Sequence, residues 1–294
     1  MNSEIFMYFY FLVILSTCIF GSNFMLENQY QRRCGSGIRS SLVYSLIGSS
    51  AGLLVLLIVN GFKIEFTVAT LCVALLVTVN GLVYTFCSLR AMGLINLSLY
   101  SVFAMLGGMV LPSIVGMVFY DEAFTLAKGV CFAFIIAALA LTVRKGESKK
   151  GTIYYIGVFV LNGMSGVFSK FFQEMPFEKT SAAGYSILAA ICSVVISATL
   201  FLIIGRKHKN TLTLPAASFS VASGSLNKIA NFILVFALAL PGAEASVQYP
   251  IVTGGVMIIS TLLCYFTPKK PSKKDLLSVA LSFVGLVALV AIPI

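Results

Sequence analysis

Long apolar stretches separated by short polar breaks run along the whole chain. They cover roughly residues 5–26, 41–60, 67–89, 96–119, 125–143, 152–172, 182–205, 214–239, 243–266 and 275–293. A membrane-spanning helix needs about 20 apolar residues. The strands of a membrane barrel are shorter and alternate between apolar and polar residues. The pattern therefore predicts an all-α membrane protein with ten transmembrane helices.

Composition supports this prediction, since 59% of the residues are hydrophobic and only 10% are charged. The mean hydropathy of +1.00 lies far above that of soluble domains. The longest polar connection, Glu27 to Ser41, is too short for a soluble domain. Before its apolar stretch the N-terminus carries Glu4 and no Lys or Arg, which favours a first helix over an export signal.

Candidate catalytic chemistry is sparse in this sequence. The seven cysteines form no Cys-x-x-Cys pair, and the single histidine, His208, lies in a basic loop. Neither a nucleophile motif nor a glycine-rich phosphate loop is present. We therefore expect the protein not to be an enzyme and to need no metal or other cofactor.

Basic residues lie mostly on one side of the predicted bundle. The loops after helices 1, 3, 5, 7 and 9 hold fifteen Lys and Arg residues, and the other loops and helix ends hold four. Basic loops stay in the cytoplasm, so both termini are predicted to be external in a cytoplasmic-membrane protein. The net charge of +10 is then a topology signal, not a sign of nucleic-acid binding. The four external basic residues are Lys63, Lys128, Lys170 and Lys179.

A shift of 147 residues relates the two halves of the chain. It places Asn80 on Asn227 and a glycine pair at 107–108 on another at 254–255. Transport folds often duplicate a helical unit in inverted topology. The halves, 1–146 and 151–294, are therefore predicted to be two inverted five-helix repeats. Glycine pairs let membrane helices approach closely, so we expect tight packing at both pairs.

Two longer stretches resemble a known family. The segment "SLRAMGLINLSLYSVFAMLGGMVLPSIVGMVFYDEAFTLAKGVCFAFIIAALAL" resembles the end of an EamA-type unit of the drug/metabolite transporter superfamily. The segment "FALALPGAEASVQYPIVTGGVMIISTLLCYFTPKKPSKKDLLSVALSFVGLVAL" resembles it more loosely, and "FGSNF" is similar to the family's first-helix stretch. The family's glycine-glutamate turn is replaced by Asp121-Glu122 and by Pro268-Lys269, and its first-helix tryptophan is missing.

This resemblance implies that each half of the chain is one EamA-like repeat. It further implies transport by alternating access, with substrates that range from amino acids and nucleosides to drugs. The resemblance does not select one of these substrates.

Polar residues at membrane depth are costly and tend to face a cavity or a partner. On predicted helix 8, Lys228 lies roughly 16 to 21 Å from either end at a rise of 1.5 Å per residue. A cavity is expected between helices 3, 4, 8 and 9, with helices 1 and 6 closing it. The candidate substrate-binding residues are Lys228, Asn227, Asn231, Asn80, Tyr84, Tyr100, Gln248, Tyr249, Asn162 and Asn23.

Each candidate also has a structural interpretation. Asparagine and serine hydrogen-bond helices together in membranes, and Lys228 would be stabilised by an ion pair with Glu244 or by loss of its proton. We expect instead that Lys228 meets an anionic group of the substrate. No carboxylate is expected at mid-membrane depth, so uniport, exchange and proton coupling through Lys228 all stay open.

The predicted function is secondary transport of a small organic metabolite, anionic or zwitterionic, such as an amino acid. The alternative is a flippase or accessory subunit for a lipid-linked head group. The expected partners are the small-molecule substrate and the lipid bilayer, with the protein a monomer or a homodimer.

Overall fold

The computed structural model describes residues 3–119, 125–142, 149–204, 213–238, 240 and 245–291. Within these ranges the chain forms α-helices and no strand. Six helices, α1 to α4, α6 and α7, are long and apolar enough to cross a membrane, which suggests a multi-pass membrane protein. The helices are α1 (Ser3–Cys34), α2 (Ile38–Val59), α3 (Val68–Leu94), α4 (Leu97–Phe119), α5 (Leu126–Thr142), α6 (Lys149–Glu174), α7 (Ala182–Ile203), α8 (Leu214–Leu238), α9 (Ala245–Cys264) and α10 (Lys273–Ala291).

Helix α1 is longer than the sequence predicted. The expected polar connection from residue 27 to 41 is wrong, because α1 continues to Cys34 and α2 begins at Ile38. The polar side chains of this segment find partners inside the protein: the hydroxyl of Tyr30, for example, donates to the carbonyl of Ser40 at 2.8 Å. Basic residues in the last turn of α1 also complement the negative end of its helix dipole.

The helices pack in a regular set of pairs. Helix α1 packs against α8 and α9, and α6 packs against α3 and α4. Helix α2 packs against α7 and α8. Helices α4 and α9 pack together, as do α5 and α10. These contacts bring residues from both halves of the chain to the same interior space.

The glycines singled out in the sequence lie at close helix contacts. A Cβ atom on Gly107 would lie 2.6 Å from the carbonyl carbon of Phe159, so α4 and α6 touch through their backbones. A Cβ atom on Gly255 would collide with the side chain of Thr17 on α1, whereas Gly254 faces α10. Small residues permit such close approach of membrane helices.

Two contacts show which loops lie at the same end of the molecule. At one end, Lys269 in the α9–α10 loop donates from Nζ to the carbonyl of Gly93 in α3, at 2.5 Å. At the other end, Glu65 in the α2–α3 loop accepts hydrogen bonds from the backbone N–H (2.6 Å) and hydroxyl (2.7 Å) of Ser181, just before α7. The α9–α10 loop and the α6–α7 loop therefore lie at opposite ends of α3.

Candidate functional site

A cavity of about 260 Å³ lies between α1, α2, α3, α7 and α8. Its walls combine apolar surface with hydroxyl, amide, carboxylate and ammonium groups. The two charged side chains in its lining are Glu27 on α1 and Lys228 on α8. Charged groups inside a membrane protein usually face such cavities and mark substrate or ion pathways, which makes this cavity the candidate functional site.

Lys228 reaches the cavity because α2 and α8 pack closely beside it. A Cβ atom on Gly224 would lie 2.5 Å from the Cα of Gly48. One turn further, a Cβ atom on Gly52 would lie 2.7 Å from the Cγ of Lys228, so the absence of a side chain there makes room for the lysine. The described residues provide no ion pair for the ammonium group, and Glu244 lies outside them.

Glu27 is a charged residue of the cavity that hydropathy did not predict, because it lies past the end of the first apolar stretch. In the structure it lies on α1, its residue is only 5% exposed, and Ser88 on α3 donates a hydrogen bond to its carboxylate. The spacing of Asn23 and Glu27, four residues apart, places both on one helix face. Both side chains line the cavity. Continuing the helical periodicity of the first apolar stretch past residue 26 would have found Glu27.

A chain of hydroxyl groups extends from Glu27 into the protein. Ser88 Oγ lies 2.8 Å from the hydroxyl of Tyr100, which lies 2.8 Å from the hydroxyl of Tyr84. Glu27 is therefore held in a polar environment although it is buried.

The remaining polar groups of the cavity come from α1, α2, α3, α7 and α8. Tyr44 and Ser223 share a hydrogen bond of 2.5 Å between their hydroxyls, which joins α2 to α8. The buried Oδ1 atom of Asn23 has no hydrogen-bond partner among the described residues. Since an unpaired buried polar group is unfavourable, this oxygen is available to a solute or to water in the cavity.

Helices α1 and α8 run antiparallel along the cavity. Their register follows from the hydrogen bond of Ser16 Oγ to the carbonyl of Ala230 (2.9 Å) and from the hydrophobic cluster shared by Tyr30 and Ala216. At a rise of 1.5 Å per residue, the backbone positions of Glu27 and Lys228 are therefore roughly 13 Å apart along the helix axes. The carboxylate and the ammonium group thus enter the cavity from different levels.

Four of the sequence-predicted site residues line this cavity, namely Lys228, Asn227, Tyr84 and Asn23. Tyr100 lies one hydrogen bond behind the lining, through Tyr84. The side chains of Gln248 and Tyr249 lie outside the described residues, although the backbone of α9 passes through both positions.

The other three candidates lie outside the cavity lining. The amide of Asn80 donates to the carbonyl of Leu161 (2.9 Å) and to Ser165 Oγ (2.8 Å), which joins α3 to α6. The amide of Asn162 donates to the carbonyl of Ala104 on α4 at 2.5 Å. The exposed Asn231 donates to the carbonyl of Asn227 at 2.8 Å, one turn back on α8. The amides of Asn80 and Asn162 therefore join neighbouring helices, and the amide of Asn231 forms a hydrogen bond within α8.

The walls of this cavity also differ from the expected helices 3, 4, 8 and 9. Helices α1, α2 and α7 contribute to the lining, and no described residue of α4 or α9 does. The small residues Ser45, Ser49 and Ser193 leave space on α2 and α7 without carrying a charge that hydropathy would reveal. Helices α4 and α9 pack against each other instead.

No protein-family model matches this sequence, and no curated protein is similar to it in sequence. A crystal structure of another protein has a similar fold, with a TM-score of 0.58 over 94% of this chain and 97% of that chain. The two sequences are 14% identical. At this identity, the likeness shows the fold alone.

Proposed function

We propose that this protein is a secondary transporter that carries a small zwitterionic metabolite, such as an amino acid, through the cavity between α1, α2, α3, α7 and α8. The observation that carries the proposal is the presence of Glu27 and Lys228 in one cavity. A zwitterion offers an anionic group to the lysine and a cationic group to the glutamate. We further propose that the protein lies in the cytoplasmic membrane and is not an enzyme.

The size of the cavity favours a metabolite over a drug. Sites for drug-sized ligands occupy about 300 to 1,000 Å³, and this cavity holds about 260 Å³. Its polar lining supplies further partners for a small solute: the unpaired oxygen of Asn23, the amide of Asn227 and the phenol of Tyr84. The hydroxyl of Ser88 keeps the Glu27 carboxylate oriented.

The packing of the helices supports two inverted EamA-like repeats of five transmembrane helices each. In such a pair, α1 corresponds to α6, α3 to α8, and α4 to α9. The contacts of α1 with α8 and α9 then correspond to those of α6 with α3 and α4. The contacts α2–α7, α4–α9 and α5–α10 each join one helix to its own equivalent. Alternating access would follow from movement of one repeat against the other.

Thermal unfolding of the purified full-length chain in detergent tests the proposal, because a ligand of the folded state raises Tm. The probes are the natural amino acids, their methyl esters and their N-acetyl derivatives. We expect free amino acids of suitable size to raise Tm, and both derivatives to do so much less. If no amino acid raises Tm, the zwitterion proposal is wrong.

Two variants test which side chain binds which charged group of the solute. Lys228→Met should remove the advantage of a free amino acid over its methyl ester, and Glu27→Gln should remove its advantage over the N-acetyl derivative. Lys63→Met, at an exposed loop lysine, is the matched control and should behave like the parent. Uptake of the stabilising amino acid into vesicles, measured beside lipid translocation, separates solute transport from flippase activity.

A further inference from the structure

A second cavity, of about 290 Å³, lies where α1 and α3 end and the α9–α10 loop begins. It shares no lining residue with the first cavity. Helix α1 contributes Asn23 and Glu27 to the first cavity, and Asn28 and Arg32 to the second. With 3.6 residues per turn, Glu27 and Asn28 point about 100° apart around the helix. The two cavities therefore lie on different faces of α1.

The lining of this second cavity carries two positive charges and no carboxylate. Arg32 lies on α1 and Lys269 lies in the α9–α10 loop, close enough to interact electrostatically. Burial and the neighbouring Arg32 guanidinium lower the pKa of Lys269. The nearby carboxylate of Asp275 accepts hydrogen bonds from Asn96 (2.6 Å) and from the backbone of Ser272 (2.8 Å) without lining the cavity.

The lining also contains a neutral hydrogen-bond acceptor, which can pair with a hydroxyl group of a ligand, and a helix N-terminus. Asn28 is only 6% exposed, and its buried Oδ1 atom has no hydrogen-bond partner among the described residues. Helix α4 begins at Leu97 in the cavity wall, after Asn96, whose side chain accepts from the backbone N–H of Leu99 at 2.9 Å. The N-terminus of a helix favours a negative charge.

We propose that this second cavity is a binding site for a phosphate group, carried by a soluble phosphate ester or by the head group of an anionic lipid. The planar guanidinium of Arg32 can donate two parallel hydrogen bonds to phosphate oxygens, and Lys269 adds a point charge. A hydroxyl group on the phosphate or on its glycerol can donate to the free oxygen of Asn28. The bound phosphate joins the end of α1 to the α9–α10 loop.

Lys269 already holds this loop against α3 through its bond to the carbonyl of Gly93. Its ammonium group has further donors, so phosphate binding does not require loss of that bond. A phosphate between Arg32 and Lys269 would also relieve the repulsion between the two cations. Binding should therefore stabilise the contacts among α1, α3 and the α9–α10 loop.

The test uses the full-length chain purified in detergent, with Tm and binding measured at constant ionic strength. The probes are glycerol 3-phosphate and short-chain phosphatidic acid, with chloride as the reference anion. We expect one or both phosphates to raise Tm above the value in chloride. A response to glycerol 3-phosphate identifies a soluble ester, and a response confined to phosphatidic acid identifies a lipid head group. If neither raises Tm above chloride, the proposal is overturned.

Variants locate the phosphate in the second cavity. Arg32→Gln and Lys269→Gln should each weaken phosphate binding by at least about tenfold, because each variant loses a hydrogen bond to a charged group. Arg33→Gln is the matched control, because Arg33 lies over the ring of Phe219 and does not line the cavity. Equal weakening by Arg33→Gln would overturn the proposal, since it would indicate a general charge effect. Loss of binding in Lys228→Met, with binding retained in Lys269→Gln, would overturn it as well.

Discussion

The Cγ atom of Lys228 lies only 2.7 Å from the position that a Cβ atom on Gly52 would occupy. The two residues lie on different helices, α8 and α2, in different halves of the chain. The path of the lysine into the cavity therefore depends on the absence of a side chain at Gly52. A glycine on α2 thus belongs to the same functional unit as the charge on α8.

Gly52→Ala should consequently displace Lys228. We expect a loss of stability of about 1 to 3 kcal/mol from overpacking and a smaller ligand-induced rise in Tm. Gly81→Ala is the control for stability alone, because Gly81 lines the cavity and a Cβ atom there meets nothing within 4 Å. Without ligand it should leave Tm equal or higher, since alanine favours helices. An unchanged Tm and ligand response in Gly52→Ala would show that this glycine does not position the lysine.

Asn80 and Asn227, equivalent under the 147-residue shift, should respond differently to substitution. Asn80→Ala removes bonds to Leu161 and Ser165, so it should lower Tm by several degrees and leave the ligand-induced shift intact. Asn227→Ala should reduce the ligand-induced shift with a smaller loss of Tm, because Asn227 lines the cavity. The two readouts come from one thermal-unfolding series. The reverse result would place Asn80 in the substrate site.

The contact between Glu65 and Ser181 predicts a pH dependence. The backbone N–H and hydroxyl of Ser181 donate to the carboxylate and lower the pKa of Glu65 below its ordinary value of 4.5. A lowered pKa in the folded state adds stability above the unfolded-state pKa, and this stability is lost as the pH falls through the folded-state pKa. Glu65→Gln should therefore lower Tm at pH 7.

The difference in Tm between the parent and Glu65→Gln should shrink as the pH falls from 5 towards 3. Glu178→Gln, at an exposed glutamate in the α6–α7 loop, is the control and should show a smaller effect at pH 7. A Tm difference that stays constant over this pH range would mean that the Glu65 carboxylate does not stabilise the start of α7 through its charge.

The distribution of basic residues predicts both termini outside the cell. A reporter fused after Gly151 should be cytoplasmic, and a reporter fused after Ile294 should be external. The contact of Lys269 with Gly93 places the α9–α10 loop beside the end of α3, at the end of the molecule predicted to be cytoplasmic. The opposite reporter pattern would invert the orientation and would move the second cavity to the external face.

Helix positions were predictable wherever burial in lipid or protein alone determines them. The stretch predicted at 182–205 corresponds to α7 at Ala182–Ile203, and the stretch at 214–239 corresponds to α8 at Leu214–Leu238. The prediction was wrong at the end of α1, where polar residues continue the helix to Cys34. Hydropathy alone does not predict this continuation, because the partners of those polar groups come from distant segments, as Ser88 does for Glu27. The helical spacing of Asn23 and Glu27 is the sequence signal for it.

The local order of apolar and polar residues is enough to predict a helical chain that is apolar enough for a membrane, and to place Lys228 deep within a helix. Which polar residues share a cavity depends on the packing of the helices. In the structure Glu27 lines the same cavity as Lys228, whereas the side chain of Asn80 forms its hydrogen bonds with α6. The physical reason is that a cavity forms where small residues on neighbouring helices leave space, and this depends on how the helices pack against one another.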